Sequence, residues 1–340
     1  MSNPVLVEVT RGGVVESRHR GAVAVVDGDG SVLWSLGDID RPSFPRSAVK
    51  PFQALPFIES GAADKFGFGN AELAYSFSSH NGEARHIATT RSMLAKAGLD
   101  ESCLVCGAHW PNREDDHAAI HAAGGKPLKV HNNCSGKHAG FLCTAVAMGV
   151  SPEGYHKAGH PVMDEVIAAG AFMTGTPHAQ DICGIDGCSI PTFAISTRSM
   201  AHGFARFVTG VGLGPERAKA ADRLRLAAAA DPFMVAGTGR FCTRAMAALG
   251  DRAMVKTGAE GVFTAAIKSL GLGVALKIDD GAARASEAVT AAILMKLLKI
   301  SPDDAAHAEM TKLANPTIKT WAGELAGEIR VTDALIQAMG

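Results

Sequence analysis

Alternating apolar stretches stand at both ends of this chain, and helical periodicity fills its middle. That distribution restricts the fold more than any other feature of the sequence. Strand patterns open the chain at Val5–Thr10, Ala22–Asp27 and Ser31–Leu36, and Asp27-Gly28-Asp29-Gly30 between the last two is a strong hairpin signal. From Arg46 to about Ala247 the apolar residues recur at helical spacing, as in Ala71–Phe77, Ile87–Ala97, Gly136–Met148, Pro161–Met173 and Ala218–Ala230. Strand patterns return at Ala253–Lys256, Val274–Ile278 and Gly327–Val331, and Ala285–Lys299 reads as a long apolar helix. Strands from both ends pair most simply in one antiparallel sheet, with helices packed on it and a helical lobe inserted between. The class expected is α/β (α+β). No repeat or low-complexity linker divides the chain, so it reads as a single catalytic domain, residues 1–340, with a sheet lobe from 1–45 and 248–340 and a helical lobe over 46–247.

Charge limits the partners. Lys+Arg total 33 against 34 Asp+Glu, which leaves no basic face for nucleic acid or an anionic membrane. Hydrophobic residues make up 47% and charged residues 20%, enough for a full core and a buried oligomer interface. No run approaches the roughly 18 apolar residues of a membrane span. The start MSNPVLVEVTRGG lacks a basic segment followed by an apolar one, and the seven cysteines are odd in number and scattered. A cytoplasmic location is the expectation.

Three short motifs occur in order: Ser47-Ala48-Val49-Lys50, Ser79-His80-Asn81 and Lys256-Thr257-Gly258. Together they match the S-x-x-K, S-x-N and K-T-G set of serine acyl-transfer enzymes. Pro51 suits the first turn of a helix, which places Ser47 at a helix start, where free N–H groups stabilise an oxyanion. Lys50, three residues on, shares its face and can take the proton of Ser47 if its amine is neutral. A nearby cation such as Lys256 favours that neutral form. Ser79 can pass a proton to the leaving group, with His80 and Asn81 beside it for substrate contacts. The strand bearing Thr257 and Gly258 can run alongside the substrate. Ser47 with Lys50 and Ser79 with Lys256 form two serine–lysine pairs, and either serine could attack. The helix-start position favours Ser47.

A second chemical segment joins Asn133-Cys134-Ser135-Gly136-Lys137-His138 with Asp186-Gly187-Cys188. Cys134 and His138 have i, i+4 spacing, and Cys188 could complete a small metal site. The other reading is buried thiols beside an active site. Cys103-x-x-Cys106 encloses apolar residues and reads as core. The pairs His117/His121 and His156/His160 lack the glutamate of a zinc-hydrolase helix and read as structural.

With these residues assembled, the chain resembles the rhizobial-type L-asparaginases, the asparaginase II family. The resemblance runs nearly end to end, through Arg46–Gln53, Ser79–Glu83, Cys106–Pro111, His131–His138, Asp186–Cys188 and Lys256–Gly258. It implies a serine β-lactamase-like fold, a homodimer, and hydrolysis of L-asparagine to L-aspartate and ammonia. It also implies a reactive centre of Ser47, Lys50, Ser79 and Lys256. A zinc ion (Zn2+) next to that centre would be held by Cys134, Lys137 and Cys188, with a lysine amine that must lose its proton to bind.

Asparagine carries an α-carboxylate and an α-ammonium. Arg46 or Lys256 could hold the first, and Asp186 or Glu83 the second, with His138 a further candidate for substrate contact. Glutaminase is the near alternative, since one methylene is worth only about 1–3 kcal/mol of discrimination. A β-lactamase or transpeptidase shares the motifs but acts outside the cytoplasm. A non-catalytic amino-acid sensor would have no use for paired serine–lysine dyads.

Overall fold

The computed structural model describes residues 2–339. The chain forms two compact units. The sheet unit takes in the chain up to Ala48, Ala194–Gly212 and everything from Arg244 onward, and the helical unit takes in Val49–Phe193 and Leu213–Thr243.

The sheet unit is built on an antiparallel sheet contributed by both chain ends. Val5–Arg11 pairs on one side with Leu325–Val331 and on the other with the long strand Val14–Asp27. The second half of that long strand continues the sheet to Leu272–Ile278, then Val262–Ile267, then Met254–Thr257. Val32–Leu36 returns against the same strand through the expected Asp27–Gly30 hairpin. The helix Thr197–Thr209 belongs to this unit, although its position mid-sequence placed it with the helical lobe. The cause is Gly273: a Cβ there would lie 1.9 Å from the carbonyl oxygen of Ala201, so only glycine lets this helix lie so close to the strand.

Packing explains what periodicity missed. Val262–Ile267 is buried along its whole length and therefore shows no alternation of polar and apolar residues. The first half of Val14–Asp27 carries Glu16, Arg18 and Arg20 on a ribbon with much of its surface in solvent, so it lacks an apolar signal altogether.

The helical unit centres on Ser135–Met148, of which residues 135–145 are all buried. Around it stand Ala84–Lys96, Pro161–Thr174 and Pro215–Ala230. A helix buried on every side is the core of its unit. Its first turn carries Lys137 and His138, both buried, so polar chemistry sits at the middle of this unit. Among the described residues no helix is long and apolar enough to cross a membrane.

Candidate active site

The serine and lysine of the first motif fall on either side of the boundary between units, Ser47 in the sheet unit and Lys50 in the helical unit. Arg46–Val49 forms a 3₁₀ turn and the α-helix after it covers only Lys50–Gln53. Ser47 therefore lies in the 3₁₀ turn that leads into a short helix, at the helix start that Pro51 suggested. A single α-turn has little dipole to offer an oxyanion. Arg46 has φ +50°, a region sparsely used by residues other than glycine, and this strained backbone leads directly into Ser47.

The Pro45–Ala48 turn rests on the third motif. A Cβ on Gly258 would stand 2.7 Å from the carbonyl oxygen of Pro45 and 3.1 Å from Cβ of Ala48. Thr264 Oγ1 donates to the carbonyls of Ala48 (3.3 Å) and Lys256 (3.2 Å). The glycine of Lys-Thr-Gly thus serves the approach of the Ser47 turn. Lys256 is buried and donates to the carbonyl of Thr257 at 3.0 Å.

In the helical unit, Lys50 is 1% exposed and its Nζ reaches three acceptors. They are the carbonyl of Ser78 at 2.6 Å, Ser79 Oγ at 3.1 Å and Cys134 Sγ at 3.1 Å. Lys50 thus has Ser79 as a direct neighbour, a pairing that the reading of two separate dyads did not contain.

Cys134 touches Cys188, and Lys137 Nζ lies 3.1 Å from Cys188 Sγ. The hydrogen bond from Cys188, with Lys50 and Lys137 close by, holds the Cys134 thiol well below its ordinary pKa against the opposing effect of burial. The same bond, together with burial, pushes Cys188 up. The two sulfurs are thus pushed apart, Cys134 down and Cys188 up, with the amines of Lys50 and Lys137 each 3.1 Å from one of them. Burial pulls Lys137 down, but the sulfurs and Asp186 outweigh it and raise its pKa. Asp186 is half-buried, with Oδ2 3.9 Å from Cys188 Sγ and Oδ1 accepting the Gly187 N–H at 2.8 Å.

This donor set fits a soft metal ion in one way only. Among the described residues no group of three or more His, Cys, Asp or Glu could hold a metal. Two sulfurs and one nitrogen, from Cys134, Cys188 and Lys137, do converge, which is zinc chemistry if the amine gives up its proton. His138 stands beside the set: its Nδ1 lies 2.6 Å from the Tyr155 oxygen, which also accepts the Val105 N–H at 3.3 Å. His138 Nε2 is buried and has no partner among the described residues.

His80 is fully buried. Its Nδ1 accepts the Gly82 N–H at 3.0 Å, and Nε2 lies 3.0 Å from both Tyr75 OH and Ser135 Oγ, with Thr90 closing the group at 2.7 Å from Tyr75. Both ring nitrogens are thus committed within the protein, which makes His80 a brace for the Ser79–Asn81 turn. The same arrangement recurs at His86, whose Nδ1 accepts from Glu83 N–H while Nε2 meets the carbonyl of Phe233. It recurs again at His109, where Asn133 N–H donates to Nε2 and Nδ1 donates to the carbonyl of Trp110.

The sequence reading missed the loop Gly237-Thr238-Gly239-Arg240. Its backbone and side chain both bond to Glu83, and Arg240 reaches Asn81. A Gly-x-Gly-Arg stretch between two helical patterns was the available signal. His117, exposed, stacks on Trp110, and His160 caps the Pro161–Thr174 helix through Nδ1, both structural as expected. All seven cysteines are free and Cys106 is buried.

Ser79 and Lys50 thus meet inside a buried polar centre. The L-asparaginase II family matches residues 7–331, and the chain belongs to that family. Membership supports an amidohydrolase role. No curated protein sequence matches the chain. Among solved structures it is similar to a protein described as Mglu, with TM-score 0.44, 14% identity, and coverage of 84% of this chain and 62% of that one. It is also similar to a β-lactamase from Mycobacterium bovis, with TM-score 0.38, 13% identity, and coverage of 81% of this chain and 94% of that one. The chain thus spans less than two thirds of the Mglu structure.

Proposed function

We propose that this protein hydrolyses the side-chain amide of L-asparagine, giving L-aspartate and ammonia through an acyl-enzyme. The observation that carries the reading is Lys50 Nζ lying 3.1 Å from Ser79 Oγ, in a chain of the L-asparaginase II family. Ser47 attacks the amide carbon. Lys50, three residues on and the first residue of the short α-helix that follows, takes its proton. Ser79 then relays a proton from Lys50 to the departing ammonia, and Lys256 is the further cation of the motif set. The direct Lys50–Ser79 contact favours a second reading in which Ser79 attacks. The two readings separate by ammonia release and acyl-enzyme mass in Ser47→Ala and Ser79→Ala. Full activity in Ser47→Ala removes the first reading, and full activity in both removes the serine mechanism.

Asp186, half-buried beside Cys188, serves the substrate ammonium, and the buried His138 Nε2 serves a polar group of the substrate. Cys134, Lys137 and Cys188 would hold zinc, which when bound would supply Lewis acidity. Metal analysis of the purified protein checks this: about one zinc per chain is expected, lost in Cys188→Ala. The family resemblance supports a homodimer, measurable by light scattering. Glutamine turnover matching that of asparagine would move the reading to a glutaminase.

A further inference from the structure

Two side chains that the sequence offers to the substrate are already engaged by the protein. Glu83 receives four donors: Thr238 N–H (2.7 Å) and Asn81 Nδ2 (3.1 Å) on Oε1, and Thr238 Oγ1 (2.7 Å) and Arg113 Nη1 (3.0 Å) on Oε2. A carboxylate has about four lone-pair sites. Glu83 is therefore saturated and has no position left for a substrate ammonium. Asn81 is 1% exposed and almost as fully engaged. Its amide hydrogens go to Glu83 and to the carbonyl of Thr238 (3.1 Å), and its Oδ1 accepts from Arg240 (3.1 Å).

Arg240 is different. Only its Nη1 is committed, to Asn81 Oδ1 at 3.1 Å and to the carbonyl of Ser79 at 3.5 Å. Nε and Nη2 have no partner among the described residues, and the side chain is only half-buried. A guanidinium with one free edge, fixed beside the backbone of Ser79, has the shape that takes a carboxylate through two parallel hydrogen bonds. The loop that carries it is not free to swing. Gly237 has φ +105°, and a Cβ there would lie 2.4 Å from Glu83 Oε1 and 2.8 Å from Asn81 Nδ2.

We propose that Arg240 binds the α-carboxylate of the amino-acid substrate, and that Glu83 is the positioning residue that latches the Gly237–Arg240 loop against Asn81. This deepens the asparaginase reading and rests on it for the identity of the substrate. It moves the α-carboxylate from Arg46 or Lys256 to Arg240. Asp186 then remains as the carboxylate for the ammonium.

The test compares L-asparagine with 3-aminopropanamide, which keeps the amine and the amide and has hydrogen in place of the α-carboxylate. Arg240→Gln should raise KM for L-asparagine about 10- to 100-fold, the range of a charge-assisted bond. Turnover of 3-aminopropanamide should change less than about 3-fold, and Arg240→Lys should recover part of the loss. Glu83→Gln should raise KM for L-asparagine in the same direction, with kcat changed much less. Combined with Arg240→Gln it should add little, because both act on one contact. Equal losses on both substrates, or an unchanged KM in Arg240→Gln, overturn the proposal. Absence of ammonia release by the wild type would count against the asparaginase reading alone. Calorimetric binding of L-aspartate and of β-alanine still decides the anchor. L-Aspartate should weaken in Arg240→Gln and β-alanine should not, and parallel behaviour of the two ligands sinks the anchor.

Discussion

Ser79 lies between two polar regions of the helical unit that are built on opposite terms. On one side Lys50, Lys137, Cys134 and Cys188 crowd two amines and two thiols into a space with almost no solvent. Their charge state is set by one another: the thiol of Cys134 is lowered by Cys188 and the lysines, and that of Cys188 is raised in return. On the other side Glu83, Asn81 and Thr238 are matched donor for acceptor, and nothing is left to titrate or move. A cluster whose protons can be redistributed suits reaction, and one whose bonds are all satisfied suits holding. Substitutions should therefore affect kcat on the first side and KM or stability on the second.

The largest effect should follow Lys50→Met, with ammonia release falling about 10³-fold or more while the fold persists, as seen by circular dichroism. Retained turnover would break the comparison at its root, because the crowded side would then be structural. Next comes Gly237→Ala, which forces a side chain into the space of Glu83 and Asn81. A loss of about 1–3 kcal/mol in denaturant unfolding is expected, together with a raised KM for asparagine. A neutral result would mean that the latch loop has slack.

Acid should act through the histidines. Burial lowers the pKa of His80 and His86 from the ordinary 6.5, and that of His131 likewise, so each is neutral in the fold and takes a proton more readily when unfolded. Their contribution is present above pH 6.5 and declines as pH falls below it, at roughly 1.4 kcal/mol per pH unit for each group until its folded pKa is reached. Urea unfolding between pH 7 and pH 5, compared with His86→Gln, measures this, and the variant should show a shallower decline. The smallest change belongs to Asp115→Asn. Its side chain is 87% exposed where it meets Arg113, and removing the charge should cost less than about 0.5 kcal/mol. A larger loss would extend the fixed region outward to the surface.

Much of the site was legible because its chemistry resides in short runs. Ser79, Lys50 and the Cys134–His138 segment stand in local motifs, and each motif lies beside polar partners in the structure. The fold was legible where strands alternate, as at Leu272–Ile278, and opaque where they do not, as at Val262–Ile267, buried on both faces. Roles proved harder to read than positions. Glu83 and Asn81 have the residue types of substrate ligands, and no local pattern shows that Thr238, 155 residues further along, would occupy the carboxylate. His80 sits in the Ser-x-Asn motif, yet its ring is committed to Gly82, Tyr75 and Ser135. Those commitments depend on tertiary neighbours, which periodicity and spacing do not encode.

The three acceptors around Lys50 have a consequence in hydrogen count. An ammonium has three hydrogens and can serve Ser78, Ser79 and Cys134 at once, whereas a neutral amine has two hydrogens and a lone pair. Turning Lys50 into a base therefore obliges one of the three bonds to reverse direction. The Ser78 carbonyl has no hydrogen to give, so the reversal falls to the Ser79 hydroxyl or the Cys134 thiol. A single proton count thus ties the state of the serine to that of the sulfur, and a change at the thiol pair is felt at the Ser79 oxygen without any atom of the backbone having to move.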